Sequence, residues 1–180
     1  MAERDTLRTL EENIILLNNR SLKLSILTKV GKIMAQKNSE KLPRNPIEAQ
    51  GLLIKEFYKR FGKEALPIIE KVCGKQGRAL GLKVMEKLPD NKLTTVAKAF
   101  SKSFNSNFVK IISISDEFFH IQGTMCPFGL EDTSRALCEA VMAIDHEYFR
   151  EAVSDKIELK ILKTIAAGDQ HCDTIYTLKV

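Results

Sequence analysis

"FVKIISISDEFFHIQG", residues 108–123, is where the hydropathy period of this chain changes. Before it, apolar residues recur three and four apart. Within it they alternate, the period of a half-buried strand. "FVKIISI" reads as one strand, Ser115, Asp116 and Glu117 as a turn, and "FFHIQG" as the antiparallel partner. The fold class depends on which period holds on either side of this hairpin.

Upstream the period is helical. Leu7, Leu10, Ile14 and Leu17, then Leu24, Leu27, Gly31 and Met34, keep the spacing of one helix face. A loop, "NSEKLPRNP", leads to a further helix with Asn45 as its cap and Pro46 at its first position, where a missing N–H costs nothing. Ala49, Leu52, Leu53, Phe57 and Phe61 continue it. The segment "GKEALPIIEKVCGKQGRALGLKVMEKLPD" stays in helical register despite Pro67, Gly74, Gly77 and Gly81. Gly77 and Gly81 lie one turn apart. Glycines at that spacing admit another backbone or a bound molecule, which makes both candidate ligand contacts.

Downstream, "CPFGLEDTSRALCEAVMAIDHEYF", residues 126–149, holds a helix that begins near Glu131 and Asp132 or at Thr133 or Ser134. "KIELKILKTIA" then alternates again, Ala167, Gly168 and Asp169 form a corner, and "CDTIYTLKV" closes the chain as a strand. Helices followed by β-β-α-β-β is an α+β arrangement: a helical layer on an antiparallel sheet of about four strands. We expect one domain over 1–180, with a helical half at 1–104 and a ββαββ half at 105–180.

Composition narrows the function. The 180 residues are 44% apolar, enough for a core without disulfide staples. Twenty-eight basic against 23 acidic residues give a net charge of +5, but the lysines are dispersed. The most basic region, Lys55 to Lys87, also carries Glu56, Glu64, Glu70 and Glu86 and reads as a solvated helical surface. No nucleic-acid role is expected. No apolar run is long enough to cross a bilayer, and acidic residues stand where a signal peptide would start basic, so neither membrane insertion nor export is expected. In a cytoplasmic setting four cysteines without any CxxC pair point to free thiols, metal ligands or reactive groups.

On the 126–149 helix, Leu137, Val141, Ile144 and Tyr148 fall on one stripe at about 100° per residue. Cys138 and Asp145 sit together at its edge, and His146 projects away. A carboxylate beside a buried stripe needs a partner. For Asp145 the candidates are a backbone donor, Arg78, Lys83, a metal or a ligand. Cys73, among Ile69, Val72 and Gly77, reads as packing. Cys126, just ahead of the helix, is expected to have a lowered pKa. If strands two and four face the helix, Cys126, Cys138 and Cys172 converge with Asp145 and His120. Two chemistries follow. Three thiolates would hold a divalent cation such as zinc, or Cys126 would act as a nucleophile with His120 as its base. His171 points to the other strand face and ranks below His120.

The combination of "GKQGRALG", "CEAVMAID" and "TIAAGDQHCDTIY" resembles the L-2-amino-thiazoline-4-carboxylic acid hydrolase-like family over about residues 60–180. A more distant similarity is to four-vinyl-reductase-type small-molecule-binding domains and TRAPP small subunits. The resemblance implies helices over an antiparallel sheet, a ligand cavity between them and often a homodimer formed through the helices. It also implies water opening a cyclic amidine to an N-carbamoyl amino acid. Cys126, Cys138, Asp145 and Cys172 fall on the thiol and acid positions it suggests. The aromatic expected soon after the last Cys-Asp pair is replaced by Thr174, with Tyr176 following as a candidate ligand contact.

Three functions are therefore open: a hydrolase of a small cyclic C–N substrate with a Cys126, His120 and Asp145 site, a non-catalytic small-molecule or metal sensor, or an assembly module using the full apolar run Ile14 to Leu17.

Overall fold

We describe residues 42–179 of a computed structural model of the chain. The expected helices around Leu7–Leu17 and Leu24–Met34, and the Ile14 to Leu17 run, lie outside the described residues.

Helix α1 (Pro46–Phe61) starts as expected: the Asn45 side chain accepts the Glu48 N–H at 2.9 Å, and Pro46 occupies the first turn. Gly62, at φ 60°, ends it. One 3₁₀ turn later α2 (Leu66–Met85) begins, with Pro67 in its first turn. After α3 (Leu93–Ser101) come strands β1 (Val109–Ile114) and β2 (Phe118–Gly123), helix α4 (Arg135–Ala152), and strands β3 (Ile157–Lys163) and β4 (Cys172–Leu178). The observed order is the α+β order expected from the hydropathy periods. The sheet runs β1-β2-β4-β3, every pair antiparallel.

Alternation decides the sheet's faces. Phe119 and Ile121 of β2, Ile157 of β3 and Tyr176 of β4 turn inward; His120, Gln122 and Asp173 turn to the other face. The inner face meets α3 and α4 in an aromatic core. Phe149 and Tyr176 have ring centroids 4.4 Å apart, and Phe119 stacks on Tyr176 at 5.4 Å. A second cluster joins Ile54, Ile69 and Cys73 from the helical layer to Leu130, Leu137, Cys138 and Val141.

Helix α2 lies directly on α4. A Cβ on Gly77 would stand 2.1 Å from the Ile144 carbonyl oxygen, and one on Gly81 would be 2.8 Å from that of Tyr148. The glycines let the two backbones touch. The start of α4 is fixed by Ser134, whose hydroxyl accepts the Leu137 N–H at 3.1 Å. The corner before β4 forms where the sequence placed it. Gly168 adopts φ 89°, and the Asp169 carboxylate accepts the Thr164 N–H at 2.8 Å.

Candidate functional site

A cleft of about 610 Å³ opens between the ends of α2 and α3, helix α4 and the loop at 125–128. Phe100, Phe104, Phe108, Phe128, Met125 and Tyr148 make much of its wall. Lys83 and Lys87, both exposed on the last turn of α2 and just beyond it, stand at its mouth. Asp145 is the single carboxylate among its lining residues.

The position of Asp145 follows from the helix phase. Its neighbours Ile144 and Tyr148 point into the core and α2 contact, so Asp145 emerges at the edge of that stripe, half-buried. The Tyr176 hydroxyl, reaching out of the aromatic core, donates to Asp145 Oδ2 at 3.1 Å. Burial pushes the Asp145 carboxyl up to about pH 6, against the smaller opposing pull of that hydrogen bond. Among the described residues Oδ1 has no hydrogen-bond partner, and since no fully buried side-chain oxygen there lacks one, Oδ1 keeps some exposure on a residue that lines the cleft. A carboxyl that changes charge near neutrality, facing an apolar hollow, is equipped to take and return a proton or to bind a cation.

The partners considered for Asp145 are engaged elsewhere or remote. Arg78 pairs with Glu147 at 2.7 Å, and Lys83 makes no ion pair among the described residues. Gly77 and Gly81 sit beneath α4 rather than on the cleft wall. Tyr176 is fully buried and reaches the cleft only through Asp145.

Cys126, Cys138 and Cys172 lie close enough for each charge to bear on its neighbours' titration. Cys172 opens β4 opposite Gly123, and Cys126 and Cys138 share one packed cluster. The lowered pKa expected for Cys126 is not found. Burial raises it, and the backbone N–H groups of Leu130 and Phe128 offset that only partly. The reason is local: α4 begins only at Arg135, capped by Ser134, and the thiol ahead of it is packed against the helical cluster. Burial also drives Cys138 up to about 11, although the Thr164 hydroxyl donates to its sulfur at 3.0 Å. Among the described residues no group of three or more His, Cys, Asp or Glu is arranged to hold a metal ion, so the cysteine cluster does not fit the zinc expected of it.

His120 is on the outer sheet face, not beside Cys126. Its Nε2 bonds Asp173 Oδ1, Gln122 donates to Asp173 Oδ2 at 3.1 Å, and His171 Nε2 lies 3.9 Å from the same oxygen. Burial alone would raise the Asp173 carboxyl, yet the bonds from His120 and Gln122 hold it below its ordinary value. Sequence reasoning missed this cluster because it depends on the β2–β4 register, which sets Gln122 opposite Asp173. It also missed the cleft wall, although Phe100, Phe104 and Phe108 recur every four residues across the end of α3.

The described residues form an α+β domain with one side of α4 open to a largely apolar cleft. The profile of the L-2-amino-thiazoline-4-carboxylic acid hydrolase family matches residues 45–176, most of the chain, and the protein belongs to that family. No protein with a curated description matches it. Among solved structures, it is similar to trafficking protein particle complex subunit 3 from Naegleria fowleri, covalently bound to palmitic acid. The TM-score is 0.53 at 11% identity, over 74% of this chain and 95% of that one. The phenol-responsive sensory domain of the transcription activator PoxR, with phenol, aligns at a TM-score of 0.49 and 15% identity, covering 77% of each chain. The first likeness is one of fold. No described helix is long and apolar enough to cross a membrane.

Proposed function

We propose that this protein hydrolyses a small cyclic amidine in the cleft beside α4, with Asp145 as the proton carrier. The observation that supports this most is the open Oδ1 of Asp145 on a carboxyl shifted to about pH 6. Ionised, Asp145 takes a proton from the water whose oxygen bonds to the amidine carbon. This addition turns the ring C=N into a single bond; as the carbon–oxygen double bond forms and the carbon–sulfur ring bond breaks, the ring nitrogen takes the remaining hydroxyl proton, Asp145 returns its own to the departing sulfur, and the product is an N-carbamoyl amino acid with a free thiol. Tyr176 holds the carboxylate in place and restrains its pKa from rising further. On this reading the raised thiols of Cys126 and Cys138 are packing groups, not nucleophiles.

The test is turnover of 2-amino-thiazoline-4-carboxylate by the purified full chain and by Asp145→Asn. The expected result is product formation that falls by about 10²-fold or more in the variant. Ligand binding without turnover in both proteins would replace the hydrolase with a binding module.

We further infer that two copies pair through the helical layer. Leu53, Ile68, Val72 and Leu82 are each more than half exposed, an apolar surface that association would cover. Sedimentation equilibrium should return twice the chain mass, and Val72→Glu should return the monomer. A monomeric wild type at micromolar concentration would exclude the pair.

A further inference from the structure

The cleft is large for the ring its family name describes. At about 610 Å³ it falls within the range of drug-sized ligand sites and holds the volume of roughly twenty waters, so a single five-membered ring fills a minor part. Its charges are also separated. Asp145 offers a free oxygen in the α4 wall, whereas Lys83 and Lys87 stand at the mouth, make no ion pair among the described residues and do not reach Asp145. Between them the wall is aromatic.

Resting on the reading that Asp145 meets the amidine, we propose that the ligand is elongated and bipolar. A cationic amidine or amine lies against Asp145 Oδ1, an aromatic or alkyl body lies along Phe100, Phe104, Phe108 and Phe128, and an anionic group lies between Lys83 and Lys87. Each part answers a separate need. The carboxylate, facing an apolar hollow, is satisfied by a cation. The phenyl faces favour an apolar body, and Tyr148 beside Asp145 offers a ring to the same cation. The exposed ammonium groups bind an anion weakly and in a salt-dependent way.

The test uses benzamidine and benzamidines carrying an ω-carboxyalkyl chain of increasing length, with the matching phenyl carboxylic acids as controls, by titration calorimetry on the full chain. The expected result is affinity rising about three- to fourfold per methylene added until the chain reaches the mouth. The carboxylate adds about two- to fivefold at low salt, which Lys83→Ala/Lys87→Ala removes. Asp145→Asn, checked for folding by circular dichroism, brings the amidines to the level of the acids. A flat series on wild type, or amidines no tighter than the acids, overturns the proposal and needs no variant to fold. If the series rises while the thiazoline is not turned over, the ligand class stands and the hydrolase reading falls. If the thiazoline is turned over through Asp145 and the series is flat, the reverse holds.

Discussion

Asp145 carries an acid whose folded-state titration, at about 6, lies above its ordinary 3.8. The sign of its effect on stability is the reverse of that for a salt-bridged carboxylate. Between pH 4 and 6 the unfolded chain has lost this proton while the folded chain keeps it. Stability therefore falls through that window, by up to about 3 kcal/mol once the folded group has ionised. Asp145→Asn removes the penalty and still accepts the Tyr176 bond. Urea denaturation should find the variant more stable than wild type at pH 7.5, by on the order of 2 kcal/mol, and equal to it at pH 4. Tyr176→Phe should move the acid limb of a pH–rate profile upward, because the bond it removes is the one that lowers the Asp145 pKa. Asp173 shows the ordinary sign. Its pKa is lowered by His120 and Gln122, so its contribution is present at neutral pH and is lost on acidification through its folded value. Asp173→Ala should cost about 1–3 kcal/mol at pH 7 by denaturant melt and leave turnover intact, since it stands on the sheet face away from the cleft. None of these partners was legible in the chain. Asp145 could be singled out from helix phase alone, but Tyr176 lies 31 residues away and meets it only once β4 is seated in the sheet.

The contact of α2 on α4 predicts a graded response to alanine along the glycine stripe. Gly77→Ala places a methyl 2.1 Å from a backbone oxygen that cannot yield without moving the helix, so a loss of about 3 kcal/mol or more is expected. Gly74→Ala meets only the flexible Glu147 side chain at 3.3 Å and gains helix propensity, so its effect should lie between neutral and about 1 kcal/mol of stabilisation. Thermal melts of the two variants measure the contrast, and equal effects would mean that the backbones do not touch at Gly77. "GKQGRALG" announced a close approach, but not whether a helix or a ligand makes it, because glycine removes a Cβ in either case. The strands were easier. Alternation in "FFHIQG" fixes β2 residue for residue, and the corner at Gly168 needs a left-handed backbone that few other residues adopt. For Cys126, position ahead of a helix points to a lowered pKa, whereas burial, which spacing does not show, raises it, and the cap that binds an N–H is Ser134.

For the molecule as a whole, the order of hydropathy periods was enough to place helices on a four-stranded antiparallel sheet. It was not enough to place a cleft. The cleft arises where α2 and α3 end over α4, an arrangement set by loops whose residues carry no periodic signal. Thiols distant in sequence did gather, but in a packed, burial-raised setting rather than as an open site. Alkylation by iodoacetamide at pH 8 should accordingly be slow at Cys126 and Cys138 in the native protein and fast in urea. Native reactivity equal to that of a free thiol would return the sulfurs to the chemistry.

The proton on Asp145 decides whether this carboxyl works in the cleft. Carbon-13 NMR of the Asp145 side-chain carboxyl, identified by its absence in Asp145→Asn, follows that proton directly with and without benzamidine. The predicted midpoint is near pH 6 in the free protein and falls when the amidinium is bound, since a nearby cation favours the ionised form. A midpoint near the ordinary aspartate value that does not respond to the amidine would contradict it.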